Sequence, residues 1–206
     1  MTSLKPHVLY YMPALCSLAP HIVLRELAIP FELVRVDRQS HAMEGGGALR
    51  DVTAKDYIPV LALPDGEILT ETSAILLYLG DLQPARKLAP PPASFARVRF
   101  HEQLGFLSTE LHKSFAPFTI MPNPSEDSRR WAADRLTARV ALLDAALGDQ
   151  PYLTGGELTV LDAYAYWALG SYSRLVKVPL PERLRHYVER IAARPSVRAA
   201  RQAEAA

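Results

Sequence analysis

Apolar positions along the chain change their spacing near residue 83, and the two patterns on either side predict different architectures. "HVLYY" (7–11) is a short β-branched and aromatic run that reads as a strand. "SLAPHIVLRELA" (17–28) reads as a helix, with Ser17 placed to cap it and Pro20 tolerated in its first turn. "FELVRV" (31–36) alternates and predicts a second strand. Residues 38–56 contain "EGGG" and little periodicity, which predicts an irregular segment or a short helix. "IPVLALPDGEIL" (58–69) places two apolar runs around Pro64, Asp65 and Gly66, a hairpin signal, and "ETSAILLYLGDL" (71–82) reads as a helix.

After the proline-rich stretch "QPARKLAPPPAS" (83–94) no strand pattern recurs. Phe100, Leu104, Leu107, Leu111 and Phe115 return every three or four residues and mark one apolar helical face, which "MPNP" (121–124) ends. A further helix is expected over 125–147, stopped by Gly148. "TVLDAYAYWALG" (159–170) opens with Thr159 and Asp162 at capping-box spacing, and a last helix is expected over 181–193, ending before Pro195. The first eighty residues thus have the order β-α-β-α-β-β-α, the thioredoxin-like order, and all that follows is helical. The fold class is α/β plus all-α.

Composition narrows the function. A net charge of +1 gives no electrostatic reason to expect nucleic acid or an anionic membrane as partner. No apolar stretch approaches the roughly 20 residues needed to span a bilayer. Pro13, Pro20 and His21 interrupt the N-terminal apolar run, so no signal peptide is expected. The single cysteine, Cys16, cannot form an internal disulfide, and no Cys/His spacing suggests zinc. A cytoplasmic protein is expected.

The motifs carry a more specific reading. "YYMPALCSLAPHIVLREL", "IPVL" after the irregular segment, "LTETSAILLYL", "ELHKSFAPF" and "LTVLDAYAYW" together resemble the cytosolic glutathione transferases, most nearly the bacterial beta class, over nearly the whole chain. The resemblance implies a thioredoxin-like glutathione-binding domain at 1–83, a linker at 84–93 and an all-helical domain at 94–206 that lines a pocket for the electrophile. It also implies conjugation of glutathione to small apolar electrophiles in detoxification, and a homodimer with the helices near 94–117 and 71–82 at its interface. Glutathione is then a co-substrate, and no metal or redox cofactor is implied.

A free thiol has a pKa near 8.5, so a conjugating enzyme must stabilise the thiolate, and hydroxyl and thiol donors at a helix N-terminus suit that task. Tyr11, Cys16 and Ser17 match the beta-class positions near the glutathione sulfur, with Ser17 expected to carry more of the stabilisation than Cys16 and Tyr11 least. Pro59 matches the family's cis-proline, beside which the backbone of Ile58 pairs with the cysteinyl part of the peptide. Glu71 and Thr72 open a helix; a carboxylate, a hydroxyl and free N–H groups there suit the ammonium and carboxylate of the γ-glutamyl end. His112 matches an active-site group near the sulfur or the electrophile, with Lys113 beside it. Tyr164, Tyr166 and Trp167 read as core. The chain departs from the pattern at Tyr57, where a glutamine is usual, at His41 in place of a lysine for the glycyl carboxylate, and at Gly105 in place of an asparagine; weaker glutathione binding is expected. Two alternatives remain open: thiol–disulfide exchange with Cys16 as nucleophile, and a non-catalytic binding protein of the same fold.

Overall fold

The computed structural model describes residues 5–205. Four strands, β1 (His7–Tyr11), β2 (Phe31–Arg35), β3 (Val60–Ala62) and β4 (Ile68–Thr70), form one sheet in the order β2-β1-β3-β4. β1 pairs with β2 in parallel, Leu9 opposite Leu33, and with β3 antiparallel, Leu9 opposite Leu61; β3 and β4 close a hairpin. Helix α1 (Leu18–Leu27) makes the crossover between the two parallel strands. Eight of its ten residues are buried, because the sheet, α2 (Thr72–Leu82) and two helices from the C-terminal half surround it. Its C-terminus stops at Ala28 in the left-handed conformation. Residues 38–56 hold one 3₁₀ turn, Leu49–Asp51, and a small irregular loop in which Gly45, Gly46 and Gly47 all take positive φ, so the glycine run has a backbone reason.

The C-terminal half is helical, as its periodicity predicts. Helix α3 (Phe95–Phe106) starts at Ser94, whose hydroxyl accepts from the Arg97 amide, and continues through a π-helical stretch, Leu107–His112, and a 3₁₀ turn into the short α4 (Ala116–Thr119). The apolar stripe from Phe100 to Phe115 is buried throughout. Helices α5 (Glu126–Leu147), α6 (Val160–Leu175), α7 (Glu182–Ala192) and α8 (Pro195–Ala205) follow. α6 runs five residues past the expected end at Gly170. Pro195 opens a helix where the sequence reading placed only a stop, since proline's missing N–H costs nothing at the first helical position.

Buried polar contacts join the halves. Glu204 of α8 reaches back to His21 Nδ1 at 2.9 Å and to the Ala14 amide at 3.0 Å, holding the loop before α1. Arg97 of α3 pairs with Asp81 of α2, and Arg194 makes a two-pronged pair with Glu26 of α1. Asp162 closes the expected capping box by accepting from the Thr159 amide at 2.7 Å, and also accepts from the Leu153 amide and the Tyr187 hydroxyl.

Candidate active site

A cleft of about 520 Å³ opens where the ends of β1 and β3 and the start of α2 face α6 and the irregular end of the α3 segment. Cys16, His41, Ile58, Pro59, Glu71, Thr72, His112 and Lys113, named from the sequence, all line it. Tyr11 and Ser17 do not. Strand alternation points Tyr11, with His7 and Leu9, to the buried side of β1, where its ring lies against His21. Ser17 already has helical backbone angles, so its hydroxyl does not cap α1; it turns back to donate to the Met12 carbonyl at 3.1 Å and accept from the Met12 amide at 3.3 Å. The hydroxyl is buried and spent on holding the β1–α1 loop.

Cys16 is a free, buried thiol whose sulfur lies 3.7 Å from the Ile58 carbonyl oxygen, to which it donates. Burial pushes its pKa up to about 11, against the Thr72 hydroxyl, the amides at the start of α1 and the Lys113 charge, which favour the anion. The thiol is therefore protonated at neutral pH, although it stands at the start of a helix. Burial outweighs the helix end here. The Ile58–Pro59 peptide is cis, as the motif implies.

Glu71 stands at the N-terminus of α2 with φ at +70°, a region side chains rarely occupy and one that clusters at functional sites. Its carboxylate accepts from the Tyr57 hydroxyl at 2.5 Å and from Lys55 Nζ at 3.0 Å, and these two donors hold its pKa below the usual carboxylate range. Tyr57, noted in the sequence only as a departure, is thus a direct partner of Glu71, and Lys55 escaped notice in a polar loop. His41 faces Asp56 at 3.1 Å.

His112 sits on the π-helical stretch, where the widened turn breaks the straight α-helical phase; such stretches occur frequently at functional sites. Its Nδ1 meets the Tyr164 hydroxyl at 2.7 Å and its ring packs edge-on against Trp167, with centroids 4.5 Å apart. Burial first, and then Lys113, lower its pKa to about 4, so it is neutral at pH 7. Tyr164 is wholly buried, as a core residue should be, yet its hydroxyl also faces those of Thr72 and Ser108 and so connects the Cys16 side of the cleft to the His112 side. The available signal was its chemistry: a buried tyrosine in place of phenylalanine needs a partner for its hydroxyl. Trp167 and Ser171 continue the wall along α6, and Phe115, Ile120 and Leu175 make it apolar.

A buried thiol beside a cis-proline, on a thioredoxin-like domain closed by a helical domain, defines a thiol-handling protein of the two-domain thioredoxin-like class. The glutathione S-transferase N-terminal domain profile matches residues 15–82, and the glutathione S-transferase C-terminal domain profile matches residues 106–195. Glutathione S-transferase GstA of Escherichia coli O157:H7 is 37% identical over 198 residues, 95% of this chain and 98% of that protein. A sphingomonad glutathione S-transferase complexed with glutathione superposes with a TM-score of 0.91 at 38% identity, covering 96% of this chain and 98% of the other. The bacterial beta class glutathione S-transferase of Sphingomonas chungbukensis gives 0.88 at 37% identity, with 96% and 98% covered. The chain belongs to the glutathione S-transferase family and is an enzyme of that family.

Proposed function

We propose that glutathione lies along the sheet edge of this cleft, with its γ-glutamyl ammonium on Glu71 and its γ-glutamyl carboxylate on Thr72 and the free amides of α2. The cysteinyl part then passes Ile58 and Pro59, which leaves the sulfur beside Cys16 and opposite His112, and an apolar electrophile fills the chamber under Trp167 and Phe115. The observation that carries this reading is the convergence of Cys16, the cis-proline, Glu71–Thr72 and His112 from four separate elements in one cleft. Residues 1–83 serve as the glutathione-binding domain and 94–206 as the helical one, and the site works in the cytoplasm. The altered contacts have local consequences. The ligand's ammonium must displace Lys55 and Tyr57 from Glu71, and the glycyl carboxylate, with His41 turned to Asp56, falls to Arg38.

A homodimer is part of the proposal. Phe95, Val98, Glu102 and Gly105 share one face of α3; the first two are large, apolar and exposed, and nothing stands where a side chain on Gly105 would point. That face permits the close approach of a second copy.

The protonated Cys16 favours conjugation over disulfide exchange, since a thiol at this site donates a hydrogen bond to the glutathione sulfur but does not attack. Cys16→Ala is expected to retain conjugation of a generic aryl halide within about tenfold, the worth of one hydrogen bond of about 0.5–1.5 kcal/mol. Steady-state rates and calorimetric titration with glutathione test it. Abolished activity with intact binding would make Cys16 the nucleophile, and no heat at millimolar glutathione in the parent protein would remove the transferase reading. Tyr164→Phe should cost two- to tenfold in kcat/KM, because the neutral His112 ring loses the hydroxyl that orients it. A rate equal to the parent's would leave Tyr164 as packing alone.

A further inference from the structure

Resting on that reading of the cleft, we propose that the electrophile is itself an acid: an aromatic or other apolar electrophile bearing a carboxylate, which Arg174 receives. The cleft carries three cations, Arg38, Lys113 and Arg174, and among the described residues none of their side chains has an ion pair or a hydrogen bond. Its one carboxylate, Glu71, is held by Lys55 in the free protein and by the ligand's ammonium in the complex, and so is not open to Arg174 in either state. Bound glutathione brings two carboxylates. The γ-glutamyl one lies at Thr72 and the start of α2, in the part of the cleft that Lys113, next to His112, also lines. The glycyl one falls to Arg38 in the loop after β2. Arg174 is left without an anion.

Its position says what the missing anion belongs to. Trp167, Ser171 and Arg174 follow one stripe of α6 at helical spacing, and Trp167 is the residue packed on His112. At 1.5 Å per residue Arg174 lies about 10 Å further along the axis, away from Glu71 and beyond the place of the sulfur. Leu175, Ile120 and Phe115 line the same cleft and make its wall apolar, with Arg174 as an exposed cation among the lining residues. Such a chamber holds a flat apolar body and offers the planar guanidinium fork, which matches a carboxylate with two parallel hydrogen bonds. The carboxylate is a handle and takes no part in the chemistry. The glutathione thiolate attacks the carbon bearing the leaving group, the C–S bond forms, and the halide departs with the bonding pair, while the thiol proton has gone to solvent.

The experiment compares 4-chloro-3,5-dinitrobenzoate with its methyl ester, which share ring and leaving group and differ in charge. In the parent protein KM for the acid should lie about tenfold below that for the ester, the worth of a charge-assisted hydrogen bond. In Arg174→Gln the acid-to-ester ratio of kcat/KM should fall about tenfold. Arg174→Lys should recover part of it, and Arg38→Gln should leave the ratio within about twofold. The preference should also weaken in 0.5 M salt, because the guanidinium is exposed. An unchanged ratio in Arg174→Gln, or a parent protein that turns over the ester and not the acid, overturns the proposal and leaves the transferase reading standing. Failure of both substrates together with no glutathione binding removes that reading as well.

Discussion

Glu71→Gln is expected to weaken glutathione binding by about ten- to a hundredfold while leaving the fold intact. The substitution keeps size and hydrogen-bonding capacity and removes the charge that meets the ligand's ammonium, an interaction of about 1.5–3 kcal/mol. The fold should barely register the change, because the pair with Lys55 is half exposed on both sides and such pairs contribute about 0–1 kcal/mol. The pH dependence has a definite sign. Tyr57 and Lys55 hold the Glu71 carboxyl below its ordinary range, so its contribution to binding is present above that range and lost only as pH falls through the lowered value. Affinity attributable to Glu71 should therefore stay level from pH 7 down through the ordinary carboxylate range. Glu71→Gly sharpens the test: it removes the carboxylate and also a side chain at φ +70°, where left-handed backbone costs roughly 1–2 kcal/mol. That variant should melt no lower than the parent and bind far more weakly. Calorimetric titration and thermal unfolding on the same samples separate the two effects, and an unchanged Kd in either variant would show that the ammonium is held elsewhere.

What was legible in advance follows from the range of the interactions involved. Strands β1 to β4, α1, α2, the buried face of the α3 segment and the Thr159–Asp162 box are local: each follows from period, turn residues or capping within a dozen positions. The cleft set of Cys16, Ile58–Pro59, Glu71–Thr72 and His112 was legible because motifs place these groups at element ends. Tyr11 and Ser17 lie outside the cleft lining for reasons also in the chain. The period of β1 puts Tyr11 on the Leu9 face, under α1, and a serine hydroxyl caps a helix only if its own backbone is still extended. Other features needed the fold itself. The Glu204–His21 pair joins residues 183 positions apart, the Lys55–Tyr57–Glu71 cluster depends on how a polar loop returns to β4, and no sequence signal marks the π-helical stretch that sets the direction of His112. The raised pKa of Cys16 is of the same kind, since a helix N-terminus can be read from sequence and the depth of burial cannot.

The largest effect on stability should come from Asp162→Ala, which is expected to cost about 3–5 kcal/mol, since several buried donors lose their partner at about 1–3 kcal/mol each. Asp162 is fully buried, and its two carboxylate oxygens serve four donors: the Thr159 amide at 2.7 Å, the Thr159 hydroxyl at 3.2 Å, the Leu153 amide at 2.9 Å and the Tyr187 hydroxyl at 2.8 Å. One side chain thus caps α6, ties down the turn that precedes it and anchors α7. Alanine leaves all four donors without a partner in a space closed to water, since Tyr187 is wholly buried and Thr159 nearly so. An unmade hydrogen bond there costs more than a made one contributes. For a chain of this length each kcal/mol moves Tm by about 2–4 °C, so a fall of about 10 °C is the expected reading. Asp162→Asn retains one acceptor oxygen but turns an NH₂ group toward existing donors, and it should lose about half as much. The site supplies an independent readout. α6 carries Tyr164 and Trp167 into the cleft, so in the alanine variant glutathione conjugation should fail at a lower temperature, in step with unfolding, while kcat at 15 °C stays near the parent value. A Tm within 2 °C of the parent would mean that the capping box is ornamental and that α6 is held by its apolar packing alone.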